Sequence, residues 1–199
     1  MCGITGWLCY SQDMREHENV LQRMTDSMAR RGPDAQGTWI DGPIGLGHRR
    51  LSIIDLEGGK QPMLARQTDG KQAAAITYSG EIYNFRELRA ELQLRGHRFE
   101  NRSDTEVVLR AYLEWGEDFV DRLNGMYAFA IWDRRQESLL LVRDRMGVKP
   151  LYYYPTADGV IFGSEPKALL ANPSVPRRVR ADGLREILEM VKTPGHAVF

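Results

Sequence analysis

Four short apolar runs follow one another from Met126 onward: MYAFAIW, LLLVRD, LYYY and VIFGS. Each is bounded by turn residues, so each reads as an antiparallel strand buried on one or both faces. Helical patterns lie mostly to either side of this block. Strands and helices are segregated as much as alternated. That organisation predicts an α+β fold with sheets packed on each other and helices outside, rather than a doubly wound parallel sheet.

The preceding part of the chain fits the same plan. Residues 1–10 read as a strand. Residues 14–31 read as a helix, with Val20, Leu21, Met24 and Met28 at helical spacing, and RRGPD at 30–34 stops it. Strands with turns follow through Ile53–Leu56, GGKQP marks a loop, and AAAITYSG at 73–80 is a strand ending in glycine. A helix from about Asn84 buries Phe85, Leu88 and Leu92. Another begins at SDTE, 103–106, where Ser103 and Glu106 predict a reciprocal capping box. Val107, Val108, Ala111, Tyr112 and Trp115 form its apolar stripe. Further helices are expected at EPKALLA and over 181–191.

The 27 basic and 27 acidic residues cancel, which argues against a nucleic-acid footprint. The densest basic stretch, RRVR at 177–180, reads as a solvated loop. No apolar run reaches the ~20 residues that span a bilayer, and no signal peptide is recognisable. A cytoplasmic protein is expected. Of the two cysteines, Cys2 and Cys9, seven positions apart on one strand would place them ~23 Å from each other on opposite faces. A disulfide tolerates about 7 Å. Both are therefore expected free, and two cysteines predict no metal site of the usual zinc type.

Cys2 stands next to the initiator methionine. If Met1 is removed, one residue carries both a thiol and a free α-amine. An α-amine of pKa ~7.7–8.0 is neutral in roughly a fifth to a third of molecules at physiological pH. It can serve as the base that a nucleophilic thiol needs. The other reading of Cys2 is a small apolar residue in an edge strand.

The ordered segments MCGI, RRGPD, GHRRLSIIDL, SGEIYNFRELR, SDTEVVLRAY, LNGMYAFAIWD, RDRMGVKPLYY and FGSEPKAL closely resemble the glutaminase domain of glutamine-dependent asparagine synthetases. These are class II glutamine amidotransferases of the N-terminal-nucleophile hydrolase type. The resemblance runs from residue 2 to about 175. It implies a four-layer αββα sandwich of two antiparallel sheets and the hydrolysis of glutamine to glutamate and ammonia. It assigns the glutaminase domain to 2–180 and makes 181–199 a terminal helix and a lead into an ATP-dependent synthetase domain. Cys2 would form a glutamyl thioester. Arg50 would hold the substrate carboxylate, as a planar guanidinium can do bidentately. Leu51, Ser52, Ile53 and Ile54 would line the pocket through their backbones. Glu81 and Asp104 would receive the α-ammonium, and Asp104 also suits a first helical turn. The Gly80 N–H would stabilise the oxyanion. Arg30 and Arg31 would border the pocket.

The family usually reads NGE where this chain reads SGE. The asparagine is a second oxyanion donor in the family; the Ser79 hydroxyl is about one bond shorter and would act directly or through a water. No pyrophosphate-binding or Walker-type loop is present. ATP and magnesium are therefore expected only in the synthetase domain, with no cofactor in this one. Glutamine and that domain are the expected partners, and the resemblance leaves room for a homodimer. A glutaminase serving another acceptor, and a catalytically silent interaction module, are the competing readings.

Overall fold

The computed structural model describes residues 1–52, 59–66, 72–179 and 181–190. Among these, nine strands run as β1 (Gly3–Cys9), β2 (Ala35–Asp41), β3 (Ile44–Arg50), β4 (Met63–Arg66), β5 (Gln72–Ile82), β6 (Gly125–Asp133), β7 (Ser138–Arg143), β8 (Tyr152–Thr156) and β9 (Gly159–Gly163). They form two antiparallel sheets, ordered β2-β3-β1-β9-β8 and β4-β5-β6-β7. The helices are α1 (Glu18–Asp26), α2 (Phe85–Leu94), α3 (Asp104–Trp115), α4 (Pro166–Leu170) and α5 (Ala181–Met190).

Strand alternation sorts the apolar residues into three spaces. Leu8, Leu46, Ala75, Ala130 and Phe162 pack between the two sheets. Trp7, Cys9 and Ile161 point outward from the first sheet and meet Val20, Met24 and Leu169 of α1 and α4. Ile76, Tyr78 and Phe129 point outward from the second sheet onto Leu88, Leu92, Val108 and Tyr112 of α2 and α3. Each fully buried Val, Leu or Ile stabilises by about 1.5–3 kcal/mol. The result is the four-layer α+β sandwich. Polar groups also tie the sheets. Thr77 Oγ1 donates to Gly47 O at 3.1 Å, and His48 Nε2 to Tyr78 O at 3.1 Å.

Several elements differ from expectation. The helix predicted over 14–31 is a 3-10 turn, Met14–His17, followed by α1. After Asp26 the backbone tightens to three-residue bonds, with Met28 N to Thr25 O and Arg31 N to Met28 O. This turns Arg31 inward. The capping box is half formed. Ser103 Oγ accepts from Glu106 N at 3.3 Å, but the Glu106 carboxylate takes the N–H groups of Glu100 and Asn101 instead. Ser103 N–H goes to Asn101 Oδ1 at 2.9 Å. The run LYYY is only half-buried: Leu151 and Tyr154 pack against the core, but β8 is an outer strand, and Tyr152 and Tyr153 are 44% and 68% exposed. The short strand β4 had no alternating pattern to announce it. Arg177–Val179 is exposed, as expected, while Arg180 and 191–199 lie outside the described residues. No helix among the described residues is long and apolar enough to cross a membrane.

Candidate active site

Cys2 precedes β1, whose Gly3 pairs with Arg49 of β3. That register places the thiol beside the chain leaving β3. Leu51 N donates to Cys2 Sγ at 3.4 Å, and the thiol reaches Leu51 O at 3.6 Å. Cys2 and Cys9 are both free. The Cys2 carbonyl accepts from Arg31 Nε at 3.0 Å and from Ser79 Oγ at 3.0 Å. The nucleophile candidate is thus held by its own backbone, from α1's trailing turn on one side and from β5 on the other.

The RRGPD segment has a structural task. A Cβ on Gly32 would lie 2.3 Å from Arg49 C and 2.4 Å from Arg50 N, so only glycine lets this loop lie against β3. Asp34 N then donates to Arg50 O at 3.0 Å, and Asp34 Oδ2 accepts from Ser52 N at 2.8 Å. The loop fixes the backbone on both sides of Arg50. The structure separates the two arginines: Arg31 reaches Cys2, whereas Arg30 is exposed.

On the second sheet, β4 pairs with β5 only as far as Met63 opposite Ile76. Beyond that point the β5 edge is open. Main-chain groups alternate sides along a strand. Tyr78 N donates to Gln61 Oε1 at 2.6 Å and Ile82 N to Asp104 Oδ2 at 3.1 Å, both on this edge. Gly80 lies between them, so its N–H is directed the same way. A Cβ on Gly80 would meet Met126 O at 2.5 Å and Tyr127 Cα at 2.7 Å, which excludes other residues.

One cleft is lined by Cys2, Arg50, Leu51, Gly80, Glu81 and Asp104. Six of the expected site residues are thereby brought together. Ser79 and Ser52 are not on its wall. Ser79 points between the sheets, as alternation with Tyr78 requires, and its hydroxyl is directed at Cys2 O rather than at the cleft. Ile53 and Ile54 lie outside the described residues. The cleft also includes Gly59, Gln61, Tyr78, Ser103 and Thr105, which the sequence reading missed. Tyr78 and Thr105 adjoin expected residues; nothing local marked Gln61. Burial raises the pKa of Asp104 above the usual carboxylate value, while donation from Tyr78 and from Ile82 N–H opposes that rise. Burial, and then the Asp104 charge, push Tyr78 well above the usual phenol. Among the described residues, no cluster of three or more His, Cys, Asp or Glu side chains is suited to a metal ion.

A thiol, a guanidinium and two carboxylates in one cleft suit an α-amino acid with a reactive side chain. The family model for the glutamine amidotransferase domain matches residues 1–199. The chain belongs to this family. This glutamine amidotransferase domain is 46% identical over 201 residues to asparagine synthetase [glutamine-hydrolyzing] 3 of Bacillus subtilis (strain 168), covering 100% of the chain and 32% of that protein. It is 42% identical over 182 residues to asparagine synthetase [glutamine-hydrolyzing] 2 of the same organism, covering 89% of the chain and 23% of that protein. The domain spans about a third or less of these relatives. Its fold matches glutamine phosphoribosylpyrophosphate amidotransferase from B. subtilis with a TM-score of 0.68, at 19% identity, over 86% of the chain and 43% of that one.

Proposed function

We propose that this domain hydrolyses glutamine to glutamate and ammonia through the Cys2 thiol. The observation that carries this reading is the shared cleft: Cys2, Arg50, Glu81 and Asp104 line it together, beside the open edge at Gly80. Arg50 offers a fork for the substrate α-carboxylate. Asp104 and Glu81 offer negative charge for the α-ammonium. The side-chain amide then faces the thiol.

In this mechanism Met1 is first removed; it is 55% exposed and accessible. The freed α-amine of Cys2 takes the thiol proton as sulfur attacks the amide carbon. Charge develops on the former amide oxygen, where the Gly80 N–H donates. The C–N bond breaks, the amine returns the proton to the leaving nitrogen, and ammonia departs. Water then cleaves the thioester to give glutamate and restores the thiol. We further propose that the ammonia goes to an ATP-dependent synthetase portion of the same polypeptide, for asparagine formation. The similarity to glutamine-hydrolyzing asparagine synthetases, of which this chain spans a third or less, supports that step.

The test is glutaminase activity of the processed chain. Intact mass should show loss of one methionine, and glutamate should accumulate from glutamine. Cys2→Ser, and an uncleaved N-terminal tag, should each abolish turnover while the melting transition is retained. Full activity with the tag attached overturns the role of the α-amine; full activity of Cys2→Ser overturns that of the thiol.

A further inference from the structure

Asp104 does not stand alone at the cleft. Its Oδ2 accepts from the Tyr78 phenol at 2.6 Å and from Ile82 N at 3.1 Å. Tyr78 is 3% exposed and Asp104 6%. A 2.6 Å O–H···O⁻ contact is a short, charge-assisted hydrogen bond. Gln61 braces this pair from the other side. Its Oε1 holds Tyr78 N at 2.6 Å, and its Nε2 reaches Thr105 Oγ1 at 3.4 Å, next to Asp104. One side chain therefore ties β5 to the start of α3.

Resting on the glutaminase reading, we propose that Tyr78, braced by Gln61, is a positioning residue that fixes the Asp104 carboxylate as the receptor for the substrate's α-ammonium. A carboxylate has about four acceptor directions, so Oδ2 can keep its two donors while the group still meets an ammonium. The phenol has a second effect. It is a neutral donor that favours the ionised carboxylate in a buried place. The charged and titratable neighbours at the cleft are Glu81 from β5, Arg50 from β3 and Cys2. On α3 itself, Glu106 is turned away to Glu100 and Asn101. Among these neighbours, the charge on Arg50 has the sign that favours an ionised carboxylate and that on Glu81 the sign that opposes it. Tyr78 is a side-chain donor in direct hydrogen-bond contact with the carboxylate, beside the Ile82 N–H.

The experiment compares two substrates on the processed chain: glutamine, and 4-carbamoylbutanoate, which has the same amide and carboxylate but no α-ammonium. Tyr78→Phe keeps the ring and removes only the hydroxyl. It should raise KM for glutamine about tenfold or more, as expected for loss of a bond to a charged group, and change kcat less than threefold. Turnover of the analogue should be the same in wild type and variant. The acid limb of kcat/KM for glutamine should move to higher pH, because Asp104 loses a donor to its ionised form. Gln61→Met should show a smaller KM rise in the same direction. A wild type that hydrolyses glutamine, with Tyr78→Phe leaving its KM unchanged or weakening both substrates equally, overturns the positioning role alone. A wild type inert to both substrates overturns the glutaminase reading and this role with it.

Discussion

The Ser79 hydroxyl and Arg31 Nε both donate to the Cys2 carbonyl, each at 3.0 Å. The two bonds immobilise the backbone of the residue that carries both thiol and amine. Their geometry bears on what Ser79 contributes. A net intramolecular hydrogen bond is worth about 1 kcal/mol, or roughly a fivefold effect. A donor to the oxyanion is worth 10²–10³ in kcat. The Ser79 side chain is 2% exposed and faces between the sheets, so the smaller figure applies. Ser79→Ala should lower kcat less than about tenfold with KM little changed, measured by steady-state glutamine hydrolysis. A loss of a hundredfold or more would place the hydroxyl on the reacting oxygen. The sequence singles out Ser79 but not the direction of its hydroxyl. Which face of β5 carries Ser79 depends on the register of β5 against β6 and on the sheet packed above it.

The loop Arg30–Asp34 shows the same limit at the level of an element. Glycine and proline marked a break in the helical pattern, although α1 itself ends earlier, at Asp26. They could not show that the loop lies on β3, with Pro33 bridged to Arg50. The separation of Gly32 from Arg49, and of Gln61 from Tyr78, is a matter of tertiary approach, and local pattern does not encode it. The half-formed capping box has the same cause, since Glu106 finds better donors at Glu100 and Asn101. Strands β6, β7 and β9 and helices α2 and α3 were legible because their apolar periods are strong. Gly32→Ala tests the loop. Its Cβ would press on main-chain atoms at 2.3–2.5 Å, which cannot yield as a side chain can. Overpacking of this kind costs about 1–3 kcal/mol, so Tm should fall by about 2–10 °C. The glutamine KM should rise as well, because Asp34 and Arg50 lose their mutual bond. An unchanged KM alongside the lower Tm would show that the loop serves stability only.

At the scale of the whole molecule, the two sheets meet in a space that is mostly apolar but not wholly so. His48 of β3 lies in it at 1% exposure, its Nε2 bonded to the main chain of β5. Burial, against the Tyr78 carbonyl's opposing pull and with the Arg50 charge adding to it, lowers the His48 pKa from 6.5 to about 4. The folded protein therefore holds this imidazole neutral where the unfolded chain would protonate it. The unfolded state binds more protons between those two values, so stability must fall as pH drops through that window. It is fully present above pH 6.5. Between pH 7.5 and 4.5 the loss from this one group is about 2–3 kcal/mol. Asp104 acts in the opposite sense, since burial raises its pKa in the folded state. Total stability against pH mixes both with carboxylates such as Asp133 and Asp144, whose pKa values are held low in the fold. His48→Gln separates them: it keeps an amide donor for Tyr78 O but cannot titrate. Urea unfolding of both proteins at several pH values should give curves that diverge below pH 6.5, with the wild type losing about 2–3 kcal/mol relative to the variant by pH 4.5. Parallel curves would mean that His48 is protonated in the folded state at low pH, and that the space between the sheets admits the charge.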